Sequence, residues 1–187
     1  MPGMTRILVA YASSHGQTRA IADRIADRLR ERGHRVATAD AAHELPPPSG
    51  YDAVVLGSRV QLGKHARSIT HYVERHRDEL AGMPTAFFSV SNSAAQASAG
   101  PDANGYLATF FAKTRWRPAH AAAFGGALKY RSYGWLLRLV MKRISRAGGH
   151  PTDTSRDHDL TDWKAVDALA DTFAAALEQD RRVGRRG

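Results

Sequence analysis

The chain contains no cysteine, which excludes disulfides, thiolate metal sites and cysteine nucleophiles together. No apolar run approaches the roughly 20 residues that a membrane-spanning helix requires. No signal-peptide pattern precedes the first apolar segment, so a cytoplasmic location is the expectation. A Pro/Gly/Ser-rich linker is also missing, and the 187 residues read as one domain over 5–178, followed by a basic tail over 179–187 that is expected to be disordered. The most informative absence is local. Between Asp102 and Asp153 there is no carboxylate, while Lys113, Arg115, Arg117, Lys129, Arg131, Arg138, Lys142, Arg143 and Arg146 all fall inside. Nine of the 27 Lys and Arg are therefore unopposed, and the remaining 18 match the 18 Asp and Glu, so this segment carries the whole net charge of +9.

What is present is an alternation of apolar β-rich runs and helical patterns, the signature of βα units around a parallel sheet. Strands are expected at Arg6–Ala12, Arg35–Ala39, Asp52–Ser58, Pro84–Val90 and Ala119–Leu128. Ile21, Ala22, Ile25, Ala26 and Leu29 recur at helical spacing, which predicts an amphipathic helix over 18–32 stopped by Gly33. Further helices are expected over about 66–80, 106–113, 133–146 and 161–177. The polar stretch Ser91–Gly105 is the longest break in periodicity, and breaks of that length are commonly functional.

Between the first strand and the first helix lies Ser13-Ser14-His15-Gly16-Gln17-Thr18. A strand-to-helix junction gathers unpaired backbone N–H groups at the positive end of the helix dipole, where an anion is favoured. The glycine lets the backbone approach, and the hydroxyls of Ser13, Ser14 and Thr18 add neutral donors. The loop has no lysine, against a P-loop triphosphatase, and the chain has no GxGxxG, against a dinucleotide Rossmann site. One phosphate monoester held by amides and hydroxyls remains, beside the plainer reading of an N-capping turn. In a doubly wound sheet, ligands lie at the carboxyl ends of the strands, and two more loops are expected there: Ser58–Gly63 and Ser89–Asn92.

A loop of Thr/Ser-x-x-Gly-x-Thr type after a first strand, with ligand loops after the third and fourth, resembles flavodoxin. Further along, GQTR (16–19), YDAVVLG (51–57), MPTAFFSV (83–90), NGYLATFF (104–111), WRP (116–118), GGALKY (125–130), GGHPTDT (148–154) and TDW (161–163) are similar, in order, to the menaquinone-dependent protoporphyrinogen IX dehydrogenase family. The likeness covers about residues 5–177. It implies an α/β flavodoxin-like doubly wound five-stranded parallel sheet of order 2-1-3-4-5, with helices on both faces. It also implies FMN as cofactor, with Ser13, Ser14, His15, Gly16, Gln17 and Thr18 around the phosphate. Arg59, Val60, Gln61, Leu62 and Gly63 on one side, and Ser89, Val90, Ser91 and Asn92 on the other, would flank the isoalloxazine ring. Asp153 either caps a turn or contacts flavin or substrate. Flavodoxins often stack an aromatic on the ring from the loop after the third strand; here that loop offers only Val60, Gln61 and Leu62, and a more open ring face suits a large planar substrate.

The basic segment has three candidate partners: anionic lipid, porphyrinogen propionates or nucleic acid. Nucleic acid is set aside for want of any recognised binding motif. On a helical wheel, 135–146 sets Leu136, Leu137, Val140, Met141 and Ile144 against Arg138, Lys142, Arg143 and Arg146, with Trp135 and Leu139 among the basic residues. Such a face suits an anionic membrane surface, and equally a sheet-covering helix with solvated charges. Arg115, Arg117, Lys129 and Arg131 are the candidate propionate partners. No histidine pair has HxxxH or HExxH spacing, so no metal site is expected. His15, His65 and His150 fall near the expected site loops with roles left open. The expected function is FMN-dependent oxidation of protoporphyrinogen IX with menaquinone as acceptor, the flavin carrying the chemistry without a dedicated acid or base. A flavodoxin-type electron carrier and an FMN-dependent NAD(P)H:quinone reductase are the alternatives.

Overall fold

The computed structural model describes residues 4–91, 103–125 and 161–184. Strand β1 (Arg6–Ala12) is buried after its first residue, as RILVAYA demands: a strand apolar on both faces must be covered on both. It lies between β2 (Arg35–Asp40) and β3 (Ala53–Gln61), and β5 (Thr85–Ser91) and β6 (His120–Phe124) extend the sheet. These five strands are parallel in the order β2-β1-β3-β5-β6, which is the expected 2-1-3-4-5 arrangement. A two-residue strand, β4 (Lys64–His65), is added antiparallel to β3.

Alternating side chains divide each strand between two cores. Ile7, Val9, Tyr11, Val55, Phe88 and Phe124 pack against α1 (Gln17–Glu31) and α5 (Trp163–Gly184). Leu8, Ala10, Val54, Leu56 and Phe87 face α2 (Arg67–Arg75), α3 (Arg77–Ala81) and α4 (Ala103–Thr114). Helix α1 buries Thr18, Ile21, Ala22, Ile25, Ala26 and Leu29, the stripe that its spacing requires. Along its rim Arg24 pairs with Asp167 at 2.7 Å, and Arg28 and Arg32 both reach Asp171 at 2.9 Å.

Four elements differ from expectation. The single helix over 66–80 is two, because His76 leaves helical geometry (φ −111, ψ 21) while its ring bonds Glu79 and leans on Tyr72. The third strand runs to Gln61 rather than Ser58, held on one edge by β5 through Val60↔Ser91 and on the other by β4. The last helix continues to Gly184, so residues 179–184 of the expected disordered tail are helical. The expected fifth strand ends at Phe124, and the segments 126–160 and 92–102, with the helix expected over 133–146, lie outside the described residues. Among the described residues no helix is long and apolar enough to cross a membrane.

Candidate functional site

The carboxyl ends of β1, β3 and β5, neighbours in the sheet, open into a cleft of about 200 Å³. Ser13, Ser14, His15, Gln17 and Thr18 form one wall, Arg59, Val60, Gln61 and Leu62 the other, and Val90 the floor side. The first wall follows from local rules. Gly16 takes the N-cap of α1 with φ 88, a left-handed conformation that favours glycine, although a Cβ would meet nothing within 4 Å. Its N–H donates to Ser13 Oγ at 3.1 Å, which folds the turn. No side chain caps the helix, its first turn holds no acid, and the first internal helical bond there is Ala20 N–H to Gly16 O at 2.9 Å. Apart from Gly16 N–H, which Ser13 takes, the amides at the start of the helix meet no side-chain acceptor among the described residues, and they and the positive end of the dipole lie beside the cleft.

Within this loop the side chains diverge from the expected cluster. His15 and Ser14 are exposed and Thr18 is buried. The Gln17 amide donates to Thr161 Oγ1 at 2.8 Å, tying the turn to the residues that lead into α5. Gln17 lines the cleft, but its side chain is engaged elsewhere.

The second wall is a hairpin, not the loop that was expected after Ser58. Arg59, Val60 and Gln61 are strand residues, and Leu62-Gly63 form the two-residue turn into β4. Both turn residues have positive φ, 50 and 72. Arg59 Nε reaches Gln61 Oε1 at 3.5 Å along the same strand face. Ser58 Oγ accepts from Ala66 N–H at 3.0 Å and donates to Arg59 O at 3.1 Å, which holds the hairpin's return to the strand it left. Tyr106 of α4 stands behind the turn, where a Cβ on Gly63 would lie 3.7 Å from its ring.

His65 is half-buried against the core. Its Nε2 is 2.9 Å from Ser89 Oγ, and its ring packs on Phe87 and Phe110. Burial lowers its pKa from 6.5 to about 4, so it is neutral near pH 7. It links the hairpin to β5 from beneath the cleft. Ser89, Val90 and Ser91 are buried strand residues, so what β5 presents at its end is mostly backbone. Gly125, at φ 93, lies so close to β5 that a Cβ would sit 2.6 Å from Ser91 O.

Two expected substrate residues lie elsewhere. Arg115 and Arg117 are in the α4–β6 connection, before a strand that starts level with Ala86, so they belong to the amino-terminal end of the sheet. Nothing brings them to the cleft. Asn92, Lys129, Arg131, His150, Asp153 and the basic helix over 135–146 lie outside the described residues. Conversely, Tyr106, Thr161 and Gly125 were missed as supports of the walls. Only Gly125 had a signal, a glycine pair at the end of a strand.

Among the described residues the cleft is lined by no carboxylate, and Arg59 is its one cationic side chain. One end offers amides and hydroxyls; the other offers Val60, Leu62 and Val90. That arrangement suits a ligand with an anionic terminus and a flat apolar body.

A family model described as a flavodoxin domain matches residues 8–155. The protoporphyrinogen IX dehydrogenase (quinone) of Escherichia coli (strain K12) is 33% identical over 172 residues, covering 90% of this chain and 94% of that protein. The Leishmania major protein of the same name is 31% identical over 175 residues, covering 91% and 75%. Among solved structures, a flavodoxin from the domain Archaea aligns with a TM-score of 0.55 at 13% identity, over 92% of this chain and 99% of the other.

Proposed function

The chain belongs to the flavodoxin-domain family and, within it, to the protoporphyrinogen IX dehydrogenase (quinone) family, and from that premise we propose that it is an FMN-dependent oxidoreductase of haem biosynthesis. Its reaction is oxidation of protoporphyrinogen IX to protoporphyrin IX, with a quinone taking up the electrons. The observation that carries this reading is the uncapped, acid-free start of α1 opening into a cleft that, among the described residues, is lined by no carboxylate.

The donor set fits FMN. Ser13, Ser14, His15, Gly16, Gln17 and Thr18 would hold its phosphate, Gln17 through its main-chain amide because its side chain serves Thr161. The lack of a lysine there suits a monoester, whose charge the helix terminus and hydroxyls can balance. The ring would lie between the strand residues Arg59–Gln61 and Ser89–Val90, with the exposed turn residue Leu62 outside that contact. Bound there, FMN supplies the hydride-accepting chemistry and relays electrons to the quinone. The chain's own work is placement and shielding: Val60 and Val90 keep water from an apolar ring, and neutral His65 brings no charge beneath it. Among the described residues no side chain lining the cleft is positioned as a dedicated acid or base.

The quinone is menaquinone in this reading, and the basic segment 135–146, expected from its periodicity to be a helix, would rest on the anionic membrane surface that dissolves menaquinone. The support is the charge pattern of 103–152. Lys129 and Arg131 stand as propionate partners on that same pattern. The experiment is to load the protein with FMN and follow porphyrin fluorescence from protoporphyrinogen IX with and without a menaquinone analogue, in the absence of oxygen. Quinone-dependent appearance of porphyrin, lost without FMN, is the expected result. Turnover with NAD(P)H and quinone but none with porphyrinogen would favour a quinone reductase instead.

A further inference from the structure

Leu62 combines two features that local physics disfavours. It is 95% exposed, the most exposed large hydrophobic residue among the described ones, and it holds φ 50 in a two-residue hairpin turn. Turns of this kind require positive φ at both positions and favour Asn-Gly, because an ordinary L side chain is strained there. Gly63 obeys that rule and Leu62 breaks it. A lone exposed leucine is unremarked on most surfaces, but here strain and exposure coincide at the lip of the cleft. The tip is also held firmly: Val60↔His65 and Gln61↔Lys64 pair, His65 bonds Ser89, and Ala66 N–H bonds Ser58. The fold thus presents an isobutyl group to solvent on a fixed support.

We propose that Leu62 seats the substrate: the porphyrinogen macrocycle rests on it while Arg59, three residues earlier, takes one of the substrate's carboxylates. This rests on the dehydrogenase reading. The ligand it implies is apolar in its body and anionic at its margin, which matches a tetrapyrrole with propionate arms. A neutral quinone offers Arg59 no carboxylate to pair with. Leu62 has almost no protein behind it, so it forms the outer lip of that wall, open to an incoming molecule.

The test compares Leu62→Asn, Leu62→Gly and Leu62→Met in the FMN-loaded protein. Asparagine and glycine suit the left-handed turn, so their Tm should equal or exceed that of the parent; a residue that mattered only to the fold would lower it. The KM for protoporphyrinogen should rise about tenfold in both, with Leu62→Met close to the parent. The FMN dissociation constant, read by flavin fluorescence, should move by less than about threefold. An unchanged porphyrinogen KM overturns the proposal, as does a loss of FMN affinity in step with it or a KM change confined to the quinone. Binding of the product, protoporphyrin IX, followed by fluorescence titration, separates this inference from the reading beneath it. If the parent binds porphyrin without turnover and the Asn and Gly variants bind it about tenfold more weakly, the seat stands and the dehydrogenase reading falls. Equal porphyrin binding in parent and variants removes the seat.

Discussion

The two ends of the sheet are built from the same strands yet treated differently. At the amino-terminal end the chain closes on itself: Asp52 accepts from Arg6 N–H at 2.8 Å and from its guanidinium at 3.1 Å, Arg35 N–H reaches Thr5 O, and Val54 N–H reaches Pro84 O. At the carboxyl-terminal end the turns diverge and the start of α1 is left without a side-chain cap. Positive φ occurs at both ends, at Gly33 and Arg115 on the amino-terminal side and at Gly16, Leu62, Gly63 and Gly125 on the carboxyl-terminal side, so the difference lies in the uncapped helix start and not in backbone strain. A parallel sheet does not by itself produce that difference, because its ladder groups are satisfied along its length. It comes from the connections.

That contrast can be broken most severely at Gly125. Gly125→Val places a Cβ against the Ser91 carbonyl in a backbone conformation that valine avoids, so we expect a loss of about 4 kcal/mol in denaturant unfolding. FMN affinity should fall with it. A stability change near zero would show that the β5–β6 junction is not the rigid support described.

Next in size is an acid effect from His65. Its pKa is 6.5 when unfolded and about 4 when folded, so between those values the unfolded chain binds the proton and the folded chain does not. Stability therefore falls as pH drops from about 6.5 to about 4 and levels off below, by about 3 kcal/mol in all for this group. His120, also lowered chiefly by burial, adds to the same slope. Unfolding measured against pH should be flatter in His65→Gln than in the parent; identical slopes would mean that His65 is solvated.

Gly16→Ala sharpens the contrast from the other wall. The space is open, so the cost is the left-handed φ alone, about 1 kcal/mol. Because the strain lies in the turn that presents the amides, FMN binding should weaken about fivefold by titration. At the opposite end, Asp52→Asn removes a solvent-exposed pair; Tm should fall by no more than about 2 °C, with FMN affinity unmoved. Smallest of all, the double reversal Arg115→Glu, Arg117→Glu should leave the porphyrinogen KM where it was. A raised KM would bring the amino-terminal end into the substrate path.

The readable parts of the sequence were those governed by periodicity. The central strands β1, β3 and β5 appear as continuous apolar runs because both of their faces are buried, and α1 appears as a stripe because one face is. The position of the junction after β1 was legible for a similar reason: a glycine and hydroxyls between an apolar run and a helical stripe mark a helix start. What escaped was set by contacts between distant residues. The hairpin tip at 62–63 reads as loop, since β4 is only two residues long and carries no pattern of its own. That the Gln17 side chain is tied to Thr161, leaving its main-chain amide for the cleft, is not visible along the chain. His65 reads as a site residue because it follows a site loop, yet the aromatic rings that bury it come from β5 and α4.

The order of elements, the two-sided burial of the sheet and the anion-ready turn were determined by the sequence alone, because each depends on residues within one helix or strand length. Which side chains share the cleft was decided only by the tertiary structure. The basic residues of one continuous segment illustrate the reason: Arg115 and Arg117 precede β6 and so lie a strand's length from the carboxyl-terminal edge. Charge can be counted along a chain, but a parallel crossover sends neighbours in sequence to opposite ends of the sheet.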